Sequence, residues 1–208
     1  MTKLDPNTNM PRQNMVLVGM TGGVESTAAA IHGLEKGYDV KGIHLEFSDM
    51  SRAETPYVKK VCELLGIELL VYSWHTNEHA DKYNQYHVQD AAWYTALLAP
   101  IAAQIEPDEV WGGMNINDHI DYSGWFTAMF NAYMSVRDFE SQKRHQVIGQ
   151  WPLIRLTKQQ QYDMIPENVR KYLAYCHVNK DIPCGKCIKC EHYNNELENF
   201  THRTESVL

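Results

Sequence analysis

The chain has 208 residues, enough for one well-buried domain with a small appendage; a second full domain would be crowded. Hydrophobic residues make up 44% and charged residues 22%, which excludes wholesale disorder. A formal net charge of −7 argues against a general nucleic-acid binder, which would carry excess Lys and Arg.

Residues 1 to 12 and the last six show no periodic pattern and are expected to be loose. Met15-Val16-Leu17-Val18-Gly19 reads as a first strand, and Ala28-Ala29-Ala30-Ile31-His32 reads as the body of a helix. Between them lies Thr21-Gly22-Gly23-Val24-Glu25-Ser26-Thr27. Adjacent glycines let backbone approach a ligand closely, Ser26 and Thr27 supply hydroxyls, and the helix start adds partial positive charge, so the run has the makings of a phosphate cradle. The plainer reading is a tight connection with a hydroxyl side chain capping the helix. No Gly-Lys-Ser/Thr follows the turn, so it is not the P-loop of kinases and GTPases, nor is it Gly-x-Gly-x-x-Gly.

Tyr38 to Phe47 alternates as a second strand, and Glu54 to Leu65 carries Val58, Val61, Cys62 and Leu65 on one helical face, closed by Gly66. Cys62 on that face is a core residue rather than a nucleophile. Ile67 to Tyr72 is a third strand, Gln85 to Ile105 a long helical stretch interrupted by Pro100, and Glu109-Val110-Trp111 a fourth strand closed by Gly112-Gly113. Strands alternating with helices predict an α/β fold: a Rossmann-like parallel sheet with helices on both faces. Ligands bind such sheets at the carboxyl ends of the strands, so the glycine loop, the His44 to Phe47 end and the loop after Trp111 are expected to share one crevice. Trp125 to Arg137 reads as a helix and Gln146 to Leu153 as extended, and Thr157 is placed to cap a short helix through Gln161. The expected division is a core over residues 14–145 and a C-terminal helical, four-cysteine region over 146–208 packed on it.

Cys176, Cys184, Cys187 and Cys190 form a cluster whose last three members make a double Cys-x-x-Cys. Two-residue spacing aims successive thiolates at one ion, and four thiolates suit a closed, structural zinc site without an open position for water. An iron–sulfur cluster is the competing occupant. No apolar run approaches the ~20 residues of a membrane span, and Met1 to Pro6 has no signal-peptide core, so a cytoplasmic protein without membrane partners is expected.

The glycine run resembles the Ser-Gly-Gly-x-Asp-Ser loop of the PP-loop superfamily, the N-type ATP pyrophosphatases, with Thr21 for Ser and Glu25 for Asp. Further segments agree in order with one branch, the 7-cyano-7-deazaguanine synthases of queuosine biosynthesis. Gly113-Met114-Asn115 and Asp121-Tyr122-Ser123-Gly124-Trp125 resemble its Gly-x-Asn and Asp-Tyr/Phe-Ser-Gly-Tyr. Pro152-Leu153-Ile154-Arg155-Leu156-Thr157-Lys158 resembles its Pro-Leu-x-x-Leu-Thr-Lys, and Cys184 to Cys190 its Cys-Gly-x-Cys-x-x-Cys. The resemblance runs from residue 15 to about 193.

It implies an adenine nucleotide alpha hydrolase-like fold and an ATP-dependent carbon–nitrogen ligase. Such an enzyme activates the carboxylate of 7-carboxy-7-deazaguanine, adds ammonia to give the amide, and dehydrates that to 7-cyano-7-deazaguanine. A structural zinc, ATP with Mg2+, and a homodimer are implied with it. Carried onto this chain, Val18, Gly19, Met20, Thr21, Gly22, Gly23, Glu25, Ser26 and Thr27 would hold the nucleotide, with adenine near His44 and Leu45. Glu25 and Ser26 would be the catalytic pair, and Asn115, Asp121, Tyr122 and Ser123 would read the deazaguanine.

Two motifs depart from the branch: its Tyr-Gly-Gln is Phe47-Ser48-Asp49-Met50 here, and its Val-Pro-x-Arg-Asn is His87-Val88-Gln89-Asp90-Ala91, without the arginine. The alternatives are a variant that stops at the amide or adenylates another acceptor, and a non-catalytic nucleotide- or deazapurine-binding protein.

Overall fold

Short apolar runs rich in valine, leucine and isoleucine become strands, and the segments between them become covering helices. The order is β1 (Met15–Gly19), α1 (Val24–Glu35), β2 (Asp39–Glu46), α2 (Asp49–Leu65), β3 (Glu68–Ser73), β4 (Glu109–Trp111), β5 (Ile148–Gln150), α3 (Lys158–Asp163), α4 (Glu167–Arg170) and α5 (Ile188–Glu196). Residues 98–105 are also helical. The computed structural model describes residues 13–46, 49–73, 98–118, 127–128, 130–132, 147–178 and 181–207.

The strands form one sheet in the order β3-β2-β1-β4-β5, and every neighbouring pair is parallel. Residues along β1 alternate between two cores. Val16 and Val18 pack with α1, α2 and the C-terminal helices, while Leu17 packs with Ile43, Leu98, Ile101, Val110 and Phe130 on the other face. Both faces are therefore covered, which is why the strands read as nearly continuous apolar runs. The chain leaves β1 toward β2 on one side and returns to β4 on the other. That makes the carboxyl ends of β1 and β4 the switch point, where such sheets open a crevice for ligand.

Three features were not legible. α2 begins at Asp49 rather than Glu54, because its first turn is polar and its anchor is tertiary: a ring nitrogen of His44 lies 2.9 Å from the Ser51 carbonyl. Pro56 sits inside this helix, where it removes one helical hydrogen bond without breaking the run. β5 joins the sheet beyond residue 145, pairing Val110 with Gly149. The C-terminal tail is pinned rather than loose at Arg203. Its backbone N–H donates to the Tyr175 hydroxyl at 2.9 Å, and its guanidinium donates to the carbonyls of Lys171 and Asp181. Of the helix expected over residues 85–105, only 98–105 falls among the described residues; residues 1–12 and the segment around His87 lie outside them.

Candidate functional site: a glycine loop gripped by the C-terminal region

The loop after β1 turns sharply at Gly22, whose φ of +73° favours glycine, and delivers Gly23 as the N-cap of α1. Gly23 itself has no side chain with which to cap that helix. Ser26 instead organises the loop from within. Its hydroxyl accepts from the Thr21 N–H at 3.2 Å, lies 3.2 Å from the Thr21 hydroxyl, and donates to the Gly23 carbonyl at 3.3 Å. Thr27 is fully buried, and its hydroxyl has no hydrogen-bond partner among the described residues. The solvent-facing hydroxyl of the run is thus that of Thr21.

The loop after β4 closes directly over this turn. A Cβ on Gly113 would lie 2.3 Å from the Ser26 nitrogen and 2.5 Å from the Glu25 carbonyl carbon, so the position admits no side chain. Asn115 follows, buried, and its side-chain amide donates to Glu25 Oε1 at 3.1 Å while its oxygen accepts from the Asn117 N–H at 2.8 Å. The extra methylene of Glu25 carries its carboxylate far enough to meet this amide. Oε2 turns the other way and lies 3.4 Å from where a Cβ on Gly23 would stand, at the mouth of the glycine turn.

Lys158 enters the same cluster from α3. Its Nζ lies 3.2 Å from Glu25 Oε1, 3.4 Å from Glu196 Oε2, and 5.2 Å from the centre of the Tyr193 ring. Burial by itself would lower the lysine pKa, but Glu25, Glu196 and Asp118 together outweigh it and raise it, so the ammonium is held charged. Burial pushes the Asp118 carboxyl up, opposed by the Asn115 N–H that donates to it. Sequence reasoning placed Lys158 in a family motif but gave it no role, and it missed Glu196, Asp118 and Tyr193. The one available signal was the capping box that sets the lysine at the first position of α3: Thr157 accepts from the Gln160 N–H, and the Gln160 side chain accepts from the Thr157 N–H.

The remaining predicted nucleotide residues divide by role. Val18 and Met20 are buried core, and the Met20 N–H continues the pairing toward β2 by donating to the Ile43 carbonyl at 2.7 Å. The imidazole of His44 is buried between the carbonyls of Met20, at 2.7 Å, and Ser51, and the side chain of Leu45 packs in the interior. Asp121, Tyr122 and Ser123 lie outside the described residues.

The four cysteines do converge. All four sulfurs lie within 4.8 Å of one another, with Cys187 Sγ 3.4 Å from Cys190 Sγ and 3.9 Å from Cys176 Sγ. A tetrahedron with metal–sulfur bonds of about 2.3 Å separates its sulfurs by about 3.8 Å, so the set suits a single ion. An iron–sulfur cubane holds its thiolates farther apart. Within this cluster the thiols share protons: N–H groups and the thiols of Cys190 and Cys184 pull Cys187 down against its burial, while burial and the Cys187 and Cys176 thiols push Cys190 up. Cys62 is inert by contrast: burial pushes it up to about 12. Among the described residues, no helix is long and apolar enough to cross a membrane.

Residues 14–92 match the protein family described as the tRNA methyl transferase HUP domain. The match stops short of β4, so Asn115, Lys158 and the four clustered cysteines lie outside it. Over 69 aligned residues the chain is 41% identical to the tRNA-specific 2-thiouridylase MnmA of Persephonella marina, covering 28% of this chain and 20% of the relative. The chain thus spans about a fifth of the length of the curated relatives it matches. Among solved structures, it is similar to the NMN synthetase of Francisella tularensis, with TM-score 0.47, 20% identity, and coverage of 77% of this chain and 65% of that one. It is also similar to the U34-tRNA thiolase NcsA of Methanococcus maripaludis, solved with its [4Fe-4S] cluster, with TM-score 0.44, 18% identity, and coverage of 78% and 56%. The five-stranded parallel sheet with its glycine loop on the central strand is a Rossmann-like fold.

Proposed function

We propose that this chain is an ATP-dependent ligase of the PP-loop type that adenylates the carboxylate of 7-carboxy-7-deazaguanine and adds ammonia, giving the amide and then 7-cyano-7-deazaguanine. The observation that carries the ATP reading is the convergence of Gly113, Asn115, Glu25 and Lys158 on the glycine turn at the switch point of the sheet. The ordered motifs from Gly113 to Cys190 carry the choice of acceptor.

The chemistry assigns work to particular groups. A carboxylate is a poor electrophile until its oxygen attacks the α-phosphate and expels pyrophosphate; ammonia then displaces AMP from the acyl adenylate and loses a proton. The amide becomes a nitrile when its oxygen attacks the α-phosphate of a second ATP and expels pyrophosphate; the C–O bond then breaks, the oxygen departs with AMP, and the nitrogen gives up its two protons. Backbone N–H groups of the loop and the Thr21 hydroxyl receive the phosphates, and Lys158 offsets charge on the departing pyrophosphate. Glu25, Glu196 and Asp118 outnumber Lys158 in this pocket, so a triphosphate needs a divalent cation to enter it. Glu25 Oε2, which faces the turn, would hold Mg2+. Cys176, Cys184, Cys187 and Cys190 would hold zinc, which would supply structure rather than catalysis, since four thiolates leave no open position for water.

Purified, zinc-loaded protein incubated with ATP-Mg2+, ammonium and 7-carboxy-7-deazaguanine should release pyrophosphate and yield the nitrile by mass spectrometry. Amide alone would mark a truncated reaction. Pyrophosphate release only with a different acceptor, a tRNA among those tried, would replace the deazaguanine assignment and keep the adenylation. ATP bound without any product would make the chain a sensor.

A further inference from the structure

Two separate C-terminal segments touch the glycine loop, and each of them also carries cysteines of the candidate metal site. On the first, the Ala174 N–H donates to the Gly22 carbonyl at 2.8 Å, two residues before Cys176. On the second, the Tyr193 hydroxyl accepts from the Val24 N–H at 3.1 Å, three residues after Cys190 on α5. Tyr193 is 1% exposed, and its ring stacks on Tyr175, the neighbour of Cys176, at 5.0 Å between centroids. The cysteine site brings Cys176 of the first segment together with Cys187 and Cys190 of the second, and so adds an ion's grip to the ring stacking that already links the two contacts.

We infer that the metal held by the four cysteines acts as a clamp on the glycine loop, with Tyr193 as the positioning residue that transmits it. The inference rests on the reading of this loop as the phosphate site. Tyr193 takes the first N–H of α1, so phosphate is received by other groups of the turn, and the angle of the helix start is fixed by a hydroxyl whose own helix has Cys187 as its N-cap. Lys189 of α5 also reaches Glu54 of α2 at 3.2 Å. The helix therefore stays docked when the metal leaves, and the effect falls on the precision of the loop rather than on its existence.

Coupling of this kind is reciprocal: if metal tightens nucleotide, nucleotide must tighten metal by the same factor. Three measurements test it. In wild-type protein, stripping zinc should lower the hydrogen-exchange protection of the Val24 amide at least tenfold, without nucleotide present. ATP-Mg2+ should slow extraction of zinc by a chromophoric chelator. Tyr193→Phe, which keeps the ring and the four cysteines, should retain one zinc per chain, bind ATP about tenfold more weakly for the lost buried acceptor, and abolish the ATP effect on extraction. Unchanged Val24 exchange after zinc removal overturns the clamp whatever the loop binds. ATP that binds without slowing extraction overturns the coupling and leaves the ATP reading intact. Val24 exchange that responds to zinc in a protein that binds no ATP overturns the phosphate reading, and with it the link to nucleotide.

Discussion

The glycine loop and the cysteine knuckle are both short runs of sequence, yet they become sites by different routes. The knuckle is nearly self-sufficient. Cys184, Cys187 and Cys190 come from seven consecutive positions, and only Cys176 is drawn from outside them. The loop supplies a turn and little charge; its polar partners come from β4, α3 and α5. A metal site made of strong ligands can be local because each thiolate brings its own affinity, whereas an anion site in this fold is an assembly of weak donors and needs the tertiary structure to collect them.

Loss of an ion from the four-cysteine site is expected to have the largest effect. An ion held by four thiolates would add on the order of 10 kcal/mol of apparent binding free energy to the stability of the folded chain. Cys190→Ser should therefore lower the thermal midpoint by ~10 °C or more by circular dichroism. An unchanged midpoint would mean that the knuckle folds without an ion.

Lys158→Met strikes the loop's side. It leaves Glu25, Glu196 and Asp118 facing one another without their cation, and breaking a buried pair costs about 3–5 kcal/mol. ATP-dependent turnover should fall below detection. The effect has a pH signature. A lysine whose folded pKa is raised contributes stability fully below its unfolded pKa of about 10.4, and loses it as pH climbs through the folded value. The gap in thermal midpoint between wild type and variant should hold to about pH 10 and narrow above it; a gap that closes between pH 5 and 8 would place the stabilisation elsewhere.

Gly113→Ala tests close packing over the turn. Its Cβ would meet backbone, which cannot swing aside, at a cost of about 1–3 kcal/mol. Nucleotide affinity should fall with stability. Gly37→Ala is the control: its φ of +77° brings strain of roughly 1–2 kcal/mol, but nothing lies within 4 Å, so nucleotide affinity should not move. The smallest effect belongs to Thr157→Ala. Losing the capping box should cost about 1 kcal/mol, or roughly 2–4 °C for a chain of this size.

The sheet was largely legible because β1 to β4 are short apolar runs in sequence, and β4 was read at its true bounds. β5 was seen as extended but not as a strand, since Ile148-Gly149-Gln150 carries almost no hydrophobic signal and is recruited by pairing with β4. α5 was missed because its residues are mostly polar, and only Cys190 and Tyr193 are buried. Within the loop, Thr27 was expected to offer its hydroxyl to phosphate, yet it lies inside the protein, and Ser26 spends its hydroxyl on the turn itself.

By itself the sequence determined the alternating parallel architecture, the glycine turn on the first strand and the thiolate cluster, because periodicity, glycine and cysteine spacing are properties of neighbouring residues. Only the tertiary structure decided that Lys158, 132 positions beyond Ser26, is the cation of the loop, that Asn115 and Glu25 meet, and that Tyr193 holds the first amide of α1. Those contacts depend on where the chain returns after β4 and after the cysteines, and no local spacing encodes such a return.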